Sequence, residues 1–137
     1  MPEMTLEEMN AFLRRPLVAV LTTVRPGGQL HSTPVWFEFE NGKFYFWVGE
    51  DSVKGKNMRR NPSISVCIAT HEEPYQYVSA AGRGVITKQD LAARCSSICR
   101  RYYSDESARA FVEADLASGN SVIVTLVPTE LSTESAA

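Results

Sequence analysis

The chain has 137 residues, with 44% hydrophobic and 22% charged residues and a formal net charge of −2. These values suit one folded domain over residues 1–137 with a real buried core, and they exclude a disordered or collagen-like chain. The charge balance lacks the broad cationic footprint of a general nucleic-acid binder, so no nucleic-acid partner is expected.

Thr5-Leu-Glu-Glu8 has the form of a capping box, and Leu6, Met9, Phe12 and Leu13 then recur at helical spacing up to Pro16. A short amphipathic helix is predicted there. Residues 17–24 are rich in Val, Leu and Thr and stop at Arg25-Pro-Gly-Gly28, which reads as a first strand and a turn. The apolar run at residues 17–21 falls far short of the roughly 20 residues that span a bilayer. No membrane partner is expected. The N-terminal residues lack the basic-then-apolar pattern of a signal peptide, so the expected location is cytoplasmic.

From His31 the residues alternate, with His31, Thr33, Val35, Phe37 and Phe39 on one side and Ser32, Pro34, Trp36, Glu38 and Glu40 on the other. Asn41-Gly42 follows and then residues 43–48, which together predict a tight hairpin. Asp51 or Ser52 can cap a short helix through Arg60, ended by Asn61-Pro62. Residues 63–69 alternate again, His71-Glu-Glu-Pro74 is a loop, and residues 75–86 form a long strand with Gly82 and Gly84 as bulge or close-approach positions. Few long helices separate these strands, which excludes a doubly wound α/β sheet.

Thr87-Lys-Gln-Asp90 resembles a helix start, and Leu91, Ala92, Cys95, Ile98, Cys99 and Tyr102 then share a face. A second helix over residues 105–116 carries Ala108, Phe111, Val112 and Leu116, and Gly119-Asn120 ends it. Residues 121–127 are a last strand stopped by Pro128, and a frayed tail is expected at about residues 129–137. The sum is a small antiparallel barrel or sandwich with helical excursions.

Cys67, Cys95 and Cys99 form no paired metal-binding motif, so free thiols and no metal site are expected. His31 and His71 sit in no nucleophile or metal motif. The segment 52–60 differs, because Lys54, Lys56, Arg59 and Arg60 place four cations in seven residues of a net-negative chain. A helix N-terminus presents free N–H groups and a positive dipole end. Ser52, Lys54, Lys56 and Asn57 can therefore cradle a phosphate, whereas Arg59 and Arg60 also suit the C-terminal end of the dipole. The aromatics Trp36, Phe37, Trp47, Tyr75 and Tyr77 could wall a planar ligand or belong to the core.

The order Thr33-Pro-Val-Trp-Phe37, hairpin, Ser52-x-Lys54-x-Lys56-Asn57-x-Arg59-Arg60-Asn61-Pro62, strand 64–69, then Pro74-Tyr-x-Tyr-Val78 and Gly82 resembles the pyridoxamine 5′-phosphate oxidase-like split-barrel superfamily. In particular it is similar to the short flavin and deazaflavin oxidoreductases. The resemblance implies a mainly β fold with peripheral helices, a six-stranded antiparallel split β-barrel of Greek-key type that binds FMN or the deazaflavin coenzyme F420. It also implies a homodimer with the cofactor in a groove at the interface. By position, Lys54 resembles the family's main phosphate-binding base, with Ser52, Lys56 and Asn57 around it. Thr33, Pro34, Val35 and Trp36 fall on the strand beside the ring, and Gln76 and Tyr77 on a strand near the interface. Ser52 stands where some relatives carry an arginine, which leaves FMN and F420 both open. The chain is shorter than true pyridoxamine phosphate oxidases, so pyridoxal phosphate synthesis is not expected. The implied function is hydride transfer to or from a small planar or conjugated substrate; the alternative is a non-catalytic flavin-binding, storage or ligand-sensing protein. No catalytic acid–base residue is legible, as expected when the cofactor carries the chemistry.

Overall fold

The computed structural model describes residues 3–135. In chain order these form α1 (Leu6–Leu13), β1 (Ala19–Val24), β2 (Leu30–Val35), β3 (Phe37–Glu40), β4 (Lys43–Gly49) and α2 (Val53–Arg60). There follow β5 (Ser63–Ala69), β6 (Tyr77–Thr87), α3 (Leu91–Cys99), α4 (Asp105–Ala117) and β7 (Ser121–Glu134).

All strand pairs are antiparallel and lie in one sheet of order β2-β1-β5-β6-β7-β4-β3. Its two edges, β2 and β3, are halves of one continuous segment interrupted only at Trp36. The sheet therefore curls until its edges meet through the covalent chain, the split-barrel architecture that the sequence implies. Seven strands are counted where six are expected, because residues 31–40 change partner at Trp36. β2 pairs with β1 and β3 with β4. The Phe37 N–H donates instead to the Tyr102 hydroxyl (3.3 Å), which itself donates to the Leu17 carbonyl (2.8 Å).

The local signals behave as the chemistry predicts. Thr5 and Glu8 complete the capping box of α1, and Asn41 and Gly42 both take positive φ (52° and 78°), the turn that matches the twist of a hairpin. Alternation puts Val35, Phe37, Phe44, Phe46 and Val48 inside, where they join Leu21, Val66 and Ile68, while α1 closes one end with Met9, Phe12 and Leu13. A second apolar layer lies outside the barrel. Cys95, Ile98, Cys99, Ala108 and Val112 of α3 and α4 pack there on Ile123, with Trp36, Tyr45 and Trp47 beside them. Arg94 fixes α3 to the hairpin, bonding Glu38 (2.5 Å) and Glu40 (3.2 Å) and lying 3.7 Å over the Tyr45 ring. Ala92, expected on the inward face of α3, is exposed.

The tail expected to fray is ordered strand for most of its length. β7 runs through Pro128 to Glu134 and pairs with the first half of β6. Proline is tolerated where the register shifts at Ala81/Gly82, because Thr129 is the unpaired extra residue of a bulge on β7 and the ladder is irregular beside residue 128. Residues 136–137 of that tail lie outside the described residues. The three cysteines are free, Cys95 and Cys99 buried and Cys67 exposed.

Candidate functional site

α2 is held in place by its own cap and by one close approach. Ser52 Oγ accepts from the Gly55 N–H (3.1 Å) and donates to the Gly49 carbonyl (2.6 Å). A Cβ on Gly55 would stand 2.5 Å from the Gly49 oxygen and 2.6 Å from that of Glu50, so the first turn rests directly on the end of β4. On the barrel side, the buried Asn57 amide donates to Thr23 Oγ1 (3.0 Å) and Met58 enters the core. The four cations then separate. Arg59 pairs with Glu50 (2.5 Å), and Arg60 donates to the Val24 carbonyl. Lys54 and Lys56 make no ion pair among the described residues.

A cleft of about 490 Å³ lies between this first turn, the ends of β2 and β4, and α4. That size falls within the roughly 300–1,000 Å³ of small-molecule and cofactor sites. Val18, Pro34 and Val35 line its strand side, Lys54 and Gly49 the α2 side. Trp36, Trp47 and Phe111 form an aromatic wall, with Asp115, Ser118 and Asn120 beyond it. Trp36 faces outward and stacks on Tyr102 at 5.0 Å with 12° between planes, while Phe111 lies 5.5 Å from Trp36 and edge-on to Trp47 at 5.6 Å. Asn120 ties the rim together, since Asp51 N–H donates to its Oδ1 (3.0 Å) and Glu50 N–H to its carbonyl (2.6 Å).

Of the residues singled out in the sequence, Lys54, Pro34, Val35 and Trp36 thus meet in one cleft. Ser52 and Asn57 stand beside it, their side chains engaged in the cap and in the bond to Thr23. Lys56 is exposed on the other flank of α2. Thr33 lies on the inner-facing side of β2, its buried Oγ1 without a hydrogen bond. Gln76 and Tyr77 do not line the cleft; Gln76 N–H donates to Thr70 Oγ1 (3.0 Å), and the Tyr77 hydroxyl is 3.4 Å from Ser132 Oγ. Among the other aromatics, Trp47 joins the wall, Phe37 is core and Tyr75 is exposed.

Phe111, Asp115, Ser118 and Asn120, on and just after α4, are among the lining residues that sequence reasoning missed, as are Val18 and Gly49. Phe111 reads as a core residue of α4, yet it is 37% exposed while Ala108 and Val112 take the buried face. The signal was available in the recurrence of residues 111, 115 and 118 on one side of a helix.

Neither thiols nor histidines offer chemistry here. Burial, and secondarily the charges of Asp115 and Cys99, push the Cys95 thiol up to about 12; burial raises Cys99 as well, and partial desolvation raises the thiol of the largely exposed Cys67. His31 Nδ1 faces an Arg25 guanidinium nitrogen (2.8 Å), a donor-only partner, and His71 is exposed in a loop. No cluster of three metal-ligating side chains exists among the described residues, and none of their helices is long and apolar enough to cross a membrane. An apolar and aromatic wall beside an unpaired lysine instead suits a planar ring carrying an anionic tail.

Residues 5–133 match the profile of the pyridoxamine 5′-phosphate oxidase family. A pyridoxine/pyridoxamine 5′-phosphate oxidase of Bacteroides thetaiotaomicron is 31% identical over 67 residues, 48% of this chain and 32% of that protein. The match thus spans about a third of that relative's length. Among solved structures, a conserved hypothetical protein of Mycobacterium tuberculosis superposes with a TM-score of 0.82 at 25% identity, covering 97% of this chain and 86% of the other. An F420 reductase superposes with a TM-score of 0.73 at 23% identity, covering 96% and 98%.

Proposed function

The chain belongs to the pyridoxamine 5′-phosphate oxidase family, and from that membership we propose that it is an oxidoreductase that binds FMN or coenzyme F420 in the cleft between β2, β4, α2 and α4. The observation that carries this reading is the meeting of Lys54 with Pro34, Val35 and Trp36 around one cavity. The strand segment 34–36 takes the ring and Lys54 takes the anionic tail, while the wall of Trp47 and Phe111 bounds the space left for the substrate. When bound, the cofactor supplies the hydride chemistry. The protein's part is to hold the ring against β2, to neutralise the tail with an ammonium that no carboxylate occupies, and to exclude water with Trp36, Trp47 and Phe111. The substrate, a small planar or conjugated molecule, enters on the side of α4.

The working form is a homodimer. Val20 on the outer face of β1 and Val18 just before that strand remain 43% and 47% exposed, and Val20 sits opposite Cys67 in the ladder, itself opposite Ser79. Val18 also lines the cleft. A second copy on this small-residue face would bury the apolar strip and wall the cofactor site.

Stopped-flow mixing of the protein with reduced F420 or reduced FMN and a panel of conjugated acceptors tests the reaction. Acceptor-dependent oxidation faster than in free solution supports the oxidoreductase. Tight binding without turnover would leave a flavin-binding or ligand-sensing protein in its place.

A further inference from the structure

Phe111 and Asp115 of α4 and its C-cap residue Ser118 recur at intervals of four and three residues, share one side of that helix and line the cleft. The only two tryptophans of the chain stand against that face, Trp36 at 5.5 Å and Trp47 at 5.6 Å from the Phe111 ring. One turn beyond Phe111, the Asp115 carboxylate has neither an ion pair nor a side-chain hydrogen bond among the described residues. Lys54 lines the same cleft without pairing with it. The two charges are therefore each available to a different group, one at the α2 side and one at the α4 side.

Aromatic faces attract cations through their quadrupole, and a carboxylate beside them adds a full charge of the same preference. An anionic group brought to that wall would face both repulsion and partial desolvation. We propose that the α4 wall selects a substrate bearing an organic cation, such as a protonated amine or an amidinium, on a planar or conjugated body. Asp115 is its specificity-determining residue. The inference rests on the reading of the cleft as a cofactor and substrate site, and it names the substrate class of that site. The field of Asp115 also reaches beneath the helix, where it adds to burial in raising the thiols of Cys95 and Cys99.

The test titrates benzamidinium and benzoate, planar ions of similar shape and opposite charge, in the presence of saturating FMN or F420 so that Lys54 of the same cleft is engaged and cannot hold benzoate, with tryptophan fluorescence as the readout. Wild-type protein is expected to bind benzamidinium about tenfold more tightly than benzoate. Asp115→Asn brings the two within about threefold. Glu113→Gln, which removes an exposed carboxylate of the same helix outside this cleft, keeps the preference. Equal binding of the two ions by wild type, survival of the preference in Asp115→Asn, or an equal loss in Glu113→Gln would each overturn the inference. Should Asp115→Asn fail to fold, the wild-type ratio decides alone. A parallel titration with FMN and F420 keeps the two claims apart. Cofactor binding without the cation preference removes only this inference, and a cation preference in a protein that binds neither cofactor removes the reading beneath it.

Discussion

The two turns of α2 carry the same kind of charge and use it in opposite ways. In the last turn, Arg59 is taken up by Glu50 and Arg60 by the Val24 carbonyl. In the first, Lys54 is turned into the cleft beside Pro34 and Trp36 with no carboxylate against it. A run of basic residues on a short helix is therefore not one site. Position relative to the sheet decides which cations are spent on holding the helix down and which remain for a ligand.

The most damaging way to break this contrast is to lift the helix. Gly55→Ala forces a Cβ against two backbone oxygens that cannot rotate away. A loss of about 2–3 kcal/mol is expected in urea unfolding, with cofactor binding weakened in parallel because Lys54 moves with the turn. Lys54→Ala leaves the fold intact but weakens FMN or F420 by about 1.5–3 kcal/mol, roughly tenfold to a hundredfold in dissociation constant. Fluorescence titration reads this directly. Arg60→Ala changes the same dissociation constant by less than about threefold, because its guanidinium serves the β1 carbonyl. Equal losses in the two variants would mean that the helix acts as a diffuse charge.

Arg59→Ala has the smallest effect and sharpens the contrast through pH. Its hydrogen bond, followed by the charge of Lys88, holds the Glu50 carboxyl below its usual 4.5. A depressed carboxylate stabilises the fold above its unfolded value and gives that contribution up as pH falls through the folded one, here on the acid side of about 4.5. In Arg59→Ala the Glu50 midpoint followed by NMR rises toward 4.5, while cofactor affinity stays as in wild type. A midpoint that does not move would remove Arg59 from its structural role.

The parts of the molecule legible in sequence are those fixed by local chemistry. Thr5 and Glu8, Asn41-Gly42, Ser52 and the alternation from His31 each write their structure within a few residues. What escaped depends on partners far along the chain. Pro128 reads as a stop, yet a bulge opposite Gly82 on β6 lets the strand pass. Trp36 reads as one residue of a single strand, yet the two halves of that strand pair with different neighbours. The site divides in the same way. Lys54 and the segment 34–36 are visible from motif order, whereas Phe111 and Asp115 join them only because α3 and α4 fold back over the outer face of β4. Asn57 shows the converse, a polar residue placed at a helix start that the fold turns inward to Thr23.

The central claim is that the first turn of α2 holds the anionic tail of a ring cofactor whose ring lies on β2. The most direct test is a set of fluorescence titrations with FMN, F420 and riboflavin, the last being FMN without its phosphate, on wild type and Lys54→Ala. The account predicts that FMN or F420 binds wild type at least about tenfold more tightly than riboflavin does, and that Lys54→Ala erases the advantage while riboflavin binds both proteins alike. Riboflavin binding wild type as tightly as FMN and F420, with Lys54→Ala indistinguishable from wild type, would contradict it.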